Sequence, residues 1–280
     1  VSLFDAFDVE TITFKYVQGN AIMLDVMVPK TLCDGEHPVN IRFHGGFLVN
    51  GARNMVEITP PRILQHAIDE NIIIVAPDYR LLPEGNGKEI LEDVEDAWNW
   101  VSTELDKAVR SMRNGKAGAD IGRIMVSGES AGGYLAIQVA LSHPLEISAV
   151  IATYPMIDMR DPFYCTDYAK NINNQPQHAN EIIDDHLQAL PNGPHPSTRG
   201  INSGTDTLAY AMIQRGRFLD FFGVDRCFFP IERLEDNAQL ASDLSYLWLQ
   251  HGTADTEVPI DGSRKFVSKL KTLNPRIALR

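Results

Sequence analysis

The sequence predicts an α/β fold, in which a mostly parallel sheet has helices on both faces. Short apolar, β-branched runs alternate with segments of helical period through much of the chain, as in repeated strand–helix–strand units. This alternation breaks between residues 158 and 242, a stretch too long and too organised for a loop. We therefore expect a core formed by residues 1–157 and 243–280, with residues 158–242 inserted as a helical cap. A chain of 280 residues that is 44% apolar can form one such domain.

The individual elements follow from local patterns. Two antiparallel edge strands joined at Gly19-Asn20 open the chain, since that dipeptide suits a hairpin turn. The Ile/Val run at 72–76 is typical of a strand buried on both faces. Strands are expected at residues 9–18, 21–28, 39–43, 72–76, 124–127, 147–154, 244–250 and 276–280. Helices are expected at 61–71, 89–112 and 262–270.

The expected cap contains short amphipathic pieces, a polar run at 171–181 and a proline-rich run at 191–197. Its aromatic residues supply the apolar material for packing over the sheet edge. These aromatic residues are Tyr164, Phe218, Phe221, Phe222, Phe228 and Phe229.

The segment IMVSGESAGGYL, residues 124–135, predicts a strand, a sharp turn and a helix start. Its G-x-S-x-G pattern is that of a nucleophile elbow, in which a strained turn raises a serine hydroxyl above the sheet at a helix N-terminus. Gly128 and Gly132 flank the turn because larger side chains would meet the neighbouring strand and helix. Ser130 is therefore the candidate nucleophile.

The segment His44-Gly45-Gly46-Phe47 follows the strand expected at 39–43. Successive glycines leave backbone N–H groups uncovered, as an oxyanion hole requires. A further donor would be the N–H of Ala131, which directly follows the candidate nucleophile.

Four segments together resemble the hormone-sensitive-lipase-like family of α/β-hydrolases. They are HGGF at 44–47, DYRLLPE at 78–84, EDVEDAWNWV at 92–101 and GESAGG at 128–133. The resemblance implies a carboxylesterase or lipase that cleaves esters of small to medium acyl or alcohol groups through an acyl-enzyme intermediate. Where the family usually has a third glycine, this chain has Phe47, which leaves open whether Gly45 and Gly46 donate, or Gly46 and Phe47.

The hydrolase order of a triad is serine, acid, histidine. Asp255 lies in the turn after the strand at 244–250, at the sheet edge expected to hold the elbow, and Asp158 is a weaker rival. No histidine follows Asp255. One more helix and strand normally separate the acid from the histidine, so we expect the histidine just beyond Arg280. His251 is expected to orient the acid turn or cap its strand, and His44 to be structural.

Composition excludes other classes of function. The net charge of −12 argues against nucleic acid and anionic membranes as partners. No apolar stretch has transmembrane length, and none resembles a signal peptide. We expect Cys33, Cys165 and Cys227 to be free thiols of a cytoplasmic protein. No cofactor or metal is expected, since pairs such as His37 with His44 and His178 with His186 lack a ligand pattern. A small-molecule ester is the expected partner, and a homodimer is left open.

Other functions of the same fold remain alternatives. Plant gibberellin receptors resemble these enzymes and bind a ligand without hydrolysing it, so a non-catalytic small-molecule binder is one alternative. Thioesterases and lactonases use the same machinery. Type B carboxylesterases share GESAG but are far longer and use glutamate as the acid, and peptidases of the prolyl-oligopeptidase type carry a propeller domain for which this chain has no room.

Overall fold

A computed structural model describes residues 3–55, 59–190, 193, 195–200 and 205–280. Its sheet has the strand order β1-β2-β4-β3-β5-β6-β7-β8. The strands are β1 (Phe7–Val17), β2 (Asn20–Pro29), β3 (Gly35–Phe43), β4 (Ile73–Pro77), β5 (Ala117–Glu129), β6 (Ile147–Thr153), β7 (Tyr246–Gln250) and β8 (Ala278–Leu279).

The sheet confirms the α/β fold predicted from the alternation of elements. β1 and β2 form an antiparallel hairpin, and β2 also pairs antiparallel with β4. From β4 to β8 every neighbouring pair is parallel. Parallel strands end at one edge of the sheet, where open α/β sheets place their ligand sites. One detail differs from the expected hairpin of edge strands, because only β1 lies at the edge while β2 is enclosed between β1 and β4.

Four helices pack around the sheet: α1 (Pro61–Asp69), α2 (Gly87–Met112), α3 (Ala131–Ser142) and α10 (Ile260–Leu273). α2 begins two residues before its expected start, because the Asn86 side chain accepts from the backbone of Glu89 while the Glu89 side chain accepts from Asn86. α3 is apolar almost all round, and its residues from Ala131 to Leu141 are all buried, as expected of a helix enclosed by other elements.

The segment between β6 and β7 is helical, as the sequence predicts. It contains α4 (Pro162–Cys165), α5 (Glu181–Gln188), α6 (Thr205–Gln214), α7 (Phe218–Phe222), α8 (Pro230–Asp236) and α9 (Gln239–Asp243). A short 3-10 turn, Arg226–Phe228, lies between α7 and α8, and another, Leu3–Ala6, precedes β1. Residues 191, 192, 194 and 201–204 of the expected cap, including part of its proline-rich run, lie outside the described residues.

Aromatic side chains anchor this segment to the core. Phe218, Phe222 and Phe229 are at most 1% exposed, so they bury large apolar areas as expected. The carbonyl of Phe228 accepts hydrogen bonds from Tyr134 Oη at 2.7 Å and Gln138 Nε2 at 2.6 Å, both on α3. The segment is thereby attached to the helix that follows the elbow. The division of the chain at residues 157 and 242 stays a prediction.

No helix within the described ranges is both long enough and apolar enough to cross a membrane. Cys33, Cys165 and Cys227 are free and exposed.

Candidate active site

Ser130 lies in a strained turn between β5 and α3. Its backbone has φ 55° and ψ −119°, a left-handed conformation that costs energy for a residue with a side chain. Its N–H donates to Thr153 O at 2.9 Å, and its carbonyl accepts from Tyr134 N at 3.1 Å and Met156 N at 3.2 Å. β6 and α3 therefore hold the turn from both sides.

Gly132 allows the elbow to approach β3. A Cβ at this position would lie 2.1 Å from Phe43 O and 2.7 Å from His44 O. Both oxygens belong to the backbone, so any larger residue would force the elbow away from the end of β3. The glycine predicted from the motif is thus required by the distance between these two elements.

The loop after β3 brings its backbone against Ser130. A Cβ at Gly45 would lie 3.5 Å from Ser130 Cβ and 3.0 Å from Glu129 O, so the two chains are in close contact here. Gly46 has φ 114°, and its carbonyl accepts from Val49 N and Asn50 N. Phe47 has φ 58°, a conformation that glycine adopts more readily. A glycine at this position, the third of the family motif, would adopt the same backbone conformation without strain.

The loop leaves several backbone donors unused. No acceptor within the described part of the chain receives the N–H groups of Gly45, Gly46 or Phe47. The N–H of Ala131 belongs to the first turn of α3, where amides have no partner inside the helix. Candidate oxyanion donors therefore come from both the glycine loop and the start of α3. The loop donors can still be either Gly45 with Gly46 or Gly46 with Phe47.

His44 is enclosed beneath this loop. It is 1% exposed, stacks on Tyr79 with ring centroids 4.3 Å apart, and its carbonyl accepts from Tyr79 Oη at 2.8 Å. Nδ1 lies 2.8 Å from Gly45 O. Burial lowers the pKa of His44 to about 4, because a charged imidazole would lose its hydration. His44 is therefore a neutral residue that supports the loop, in agreement with its expected structural role.

A buried ion pair lies on the other side of the nucleophile. Glu129 directly precedes Ser130 and accepts from Arg42 Nη2 at 2.8 Å, with both side chains less than 7% exposed. Burial raises the pKa of Glu129, and the charge and hydrogen bond of Arg42 oppose that rise. Removing one partner would leave the other charge buried and unpaired. This pair ties β3 to the elbow.

Asp255 lies in the loop after β7. Its Oδ1 accepts from the N–H groups of Glu257 and Val258, both at 2.9 Å, so the loop wraps around one carboxylate oxygen. The other oxygen lies 3.5 Å from His251 Nε2. The side chain is 18% exposed. The carboxylate is thus fixed on one side and accessible for a further donor.

His251 and Asp158 are already engaged elsewhere. His251 Nε2 lies 2.9 Å from Val258 O, and Nδ1 lies 2.8 Å from Ser263 Oγ. With both ring nitrogens bonded, His251 supports the Asp255 loop and has no free nitrogen for Ser130. Asp158 forms an ion pair with Lys265 at 2.6 Å. Of the two candidate acids, Asp255 is the one without a lysine or arginine partner among the described residues.

Ser130 opens into a pocket of about 260 Å³ between the sheet edge and the β6–β7 segment. The pocket is lined by Gly45, Gly46, Phe47, Asn50, Glu129, Ser130, Tyr154, Asp206, Tyr210 and Glu257. Sequence reasoning missed five of these: Asn50, Tyr154, Asp206, Tyr210 and Glu257. Three of them had a usable signal, since Tyr154 directly follows β6, Glu257 lies two residues after Asp255 and Asn50 lies three residues after Phe47 in the glycine loop. Asp206 and Tyr210 are brought in by long-range packing.

Comparison with known proteins agrees with this geometry. Residues 40–199 match a family described by the α/β-hydrolase fold, and since they make up more than half of the chain, the protein belongs to that family. The match confirms the resemblance to the hormone-sensitive-lipase-like branch that the four motifs indicate.

Two relatives are named as probable carboxylesterases. The one from Phoma sp. is 28% identical over 94% of this chain and 83% of its own length. The one from Cochliobolus lunatus is 31% identical over 66% of this chain and 85% of its own length. Among solved structures, a thermostable esterase from Pseudomonas putida is 20% identical with a TM-score of 0.62, covering all of this chain and 73% of the other. The structural likeness concerns the fold.

Proposed function

We propose that the protein is a serine carboxylesterase that hydrolyses small esters through an acyl-enzyme intermediate. The observation that carries the proposal is the placement of Ser130 in a strained turn that lines one pocket with the glycine loop, whose N–H groups have no acceptor among the described residues. Esterase names among the relatives support the same activity. They do not favour the non-catalytic alternative.

In this mechanism Ser130 Oγ attacks the ester carbonyl carbon, and the carbonyl oxygen becomes an oxyanion. The N–H of Ala131 and two N–H groups from Gly45–Phe47 stabilise that oxygen, and one such donor contributes about 3–4 kcal/mol to the transition state. The tetrahedral intermediate collapses, and the alcohol leaves with the proton that the imidazole took from Ser130, which gives the acyl-enzyme. Water then gives a proton to the imidazole and attacks the acyl carbon, and Ser130 leaves with that proton as the acid is released. Asp255 orients the imidazole that removes the serine proton.

We propose that this imidazole comes from a residue that follows β8. Neither His44 nor His251 is available, because His44 is enclosed under the loop and both nitrogens of His251 are bonded. β8 is parallel to β7. A chain leaving β8 would therefore emerge at the edge that also holds Asp255 and Ser130.

The exposed thiols of Cys33, Cys165 and Cys227 support a protein of a reducing compartment such as the cytoplasm. We propose that location for the enzyme. Recovery of a disulfide-linked form from cells rapidly quenched with a thiol-blocking reagent would contradict it.

The activity is tested with p-nitrophenyl acetate and a fluorophosphonate probe. Ser130→Ala should abolish both hydrolysis and labelling, and mass spectrometry of the wild-type adduct should place the probe on Ser130. Ser127→Ala is the matched control, since Ser127 is a buried serine in β5 whose Oγ bonds no described residue. Turnover by Ser130→Ala, or labelling at another serine, would refute the assignment.

The source of the base is tested by comparing two chains. A chain verified by mass to end at Arg280 should label slowly, since a triad without one member retains only about 10³–10⁴-fold acceleration over water. A chain extended by its natural continuation should label quickly. Equally rapid labelling of both would show that a histidine within the 280 residues acts as the base.

A further inference from the structure

The pocket beside Ser130 carries an excess of acceptors. Asp206 and Glu257 both line it, and no lysine or arginine does. Among the residues that the structure describes, neither carboxylate forms an ion pair, whereas the Glu129 carboxylate in the same wall is neutralised by Arg42. Two negative charges thus face a small, partly enclosed volume without a compensating cation.

The partners of these carboxylates are neutral. Asp206 Oδ1 accepts from Asn50 Nδ2 at 3.0 Å, Glu257 Oε1 accepts from Tyr210 Oη at 3.3 Å, and the Glu257 carboxylate also accepts from the Asn173 side chain. Each bond uses one carboxylate oxygen, and a carboxylate has about four lone-pair sites. Acceptor capacity therefore remains on both side chains.

Asn50 adds an independent observation. Its side chain lines the pocket and is 2% exposed, yet its Oδ1 has no hydrogen-bond partner among the described residues. A buried amide oxygen without a donor costs about 1–3 kcal/mol. A ligand that donates a hydrogen bond here would remove that cost.

Aromatic rings complete the wall. Phe47 meets Tyr210 edge to face with centroids 5.8 Å apart, and Tyr154 lines the same pocket. Ring faces attract cations as well as apolar groups. Burial raises the pKa of Asp206 and of Glu257, and the negative charges of Asp255 and Asp206 add to the rise for Glu257.

We propose that this pocket selects a small ester that carries a protonated amine a few bonds from its carbonyl carbon, with the Asp206 and Glu257 carboxylates balancing the ammonium charge and an acceptor on Asp206, Glu257 or Asn50 Oδ1 receiving its N–H. The inference rests on the esterase activity proposed above. The pocket of about 260 Å³ lies below the range of about 300–1,000 Å³ that is usual for drug-sized ligands, so the substrate is small.

An organic cation fits better than a metal ion. Within the described residues, no three His, Cys, Asp or Glu side chains converge as a metal site would require. Asp206 and Glu257 instead bond to an amide and a phenol, and the wall between them is aromatic. That mixture of acceptors and rings matches an alkylammonium group.

The test measures binding in the Ser130→Ala background, so that it does not depend on turnover. Dimethylaminoethyl acetate, protonated at neutral pH, is compared by calorimetry with isoamyl acetate, which has the same shape with C–H in place of N⁺–H. The ammonium ester should bind about tenfold more tightly, the lower end of what a charge-assisted hydrogen bond contributes. Equal binding of the two esters, or tighter binding of isoamyl acetate, would overturn the inference.

Two substitutions locate the effect. Asp206→Asn and Glu257→Gln should each reduce severalfold the ratio of ammonium-ester affinity to isoamyl acetate affinity. Glu104→Gln, which removes an equal charge from an exposed position on α2, is the control and should keep the preference. If both pocket variants kept it too, the selectivity would arise from the overall charge of −12 and the inference would be wrong.

Hydrolysis separates this inference from the proposed function. Wild-type kcat/KM should be about tenfold higher for the ammonium ester than for isoamyl acetate, in line with the binding preference. Hydrolysis of both esters at equal rates would refute the amine selectivity and leave the esterase in place. Binding of the ammonium ester with no hydrolysis of any ester, in the chain extended beyond Arg280, would refute the esterase and leave the amine site in place.

Discussion

The close approach of the elbow to β3 predicts that Gly132→Ala will impair catalysis in a variant that still folds. The new Cβ would lie 2.1 Å from Phe43 O, whereas ordinary contacts begin at 3.4 Å. The two elements must therefore separate by about 1 Å, because packed interiors leave no free space. Phe43 leads into the glycine loop, and Gly132 follows Ser130 and Ala131, so this separation moves the candidate oxyanion donors away from the nucleophile.

The expected magnitudes follow from that displacement. A misplacement of about 1 Å can reduce the rate about a hundredfold, equivalent to about 2.7 kcal/mol of transition-state stabilisation. Forcing an extra methyl group into a packed region costs about 1–3 kcal/mol in the free energy of unfolding. We expect a folded variant with kcat for p-nitrophenyl acetate lowered by about two orders of magnitude.

The assay combines initial rates with urea unfolding followed by circular dichroism. Gly252→Ala is the matched control, because a Cβ there meets nothing within 4 Å and should leave both quantities almost unchanged. If Gly132→Ala folded and kept kcat within about threefold of wild type, a change of about 0.6 kcal/mol, this contact would not set the catalytic geometry.

Three further predictions concern stability and cofactors. Burial by itself lowers the pKa of His143, but the hydrogen bonds and charges of Glu95 and Glu146 outweigh burial and raise that pKa above 6.5. The resulting stabilisation of the folded state is complete below about pH 6.5 and is lost as the pH rises through the raised pKa. The Tm difference between wild type and His143→Gln should therefore shrink as the pH is raised through this range. A Tm difference that does not change with pH would contradict the prediction. Asn86→Ala removes the capping box of α2 and should cost about 1 kcal/mol in urea unfolding, with Thr103→Ala as an exposed control on the same helix. EDTA should leave ester hydrolysis unchanged, and a loss that zinc restores would disprove metal independence.

The sequence by itself predicted the order of strands and helices and the position of the elbow. These features depend on short-range rules: the period of apolar residues, and the small residues that a sharp strand-to-helix turn requires. The observed bounds of helices and strands differ from the predicted bounds in two situations. One is a side-chain cap, as at the start of α2, and the other is strand pairing that lengthens an element. β5, for example, begins at Ala117, well before the apolar run at 124, because its first residues pair with β3. That pairing is a long-range contact with no local signature.

The tertiary structure alone decided the character of the pocket. Asp206 lies more than 150 residues after Asn50, and Glu257 lies more than 50 residues after Asp206. Each is an ordinary polar residue in its own segment. Only the packing of the β6–β7 segment against the sheet edge brings them to one wall and keeps lysine and arginine away from it. Local patterns specify backbone conformation, whereas the desolvation and charge of a site depend on which distant side chains the fold encloses together. For that reason the sequence indicated a hydrolase, whereas the proposed preference for an ammonium ester depends on contacts that only the tertiary structure makes.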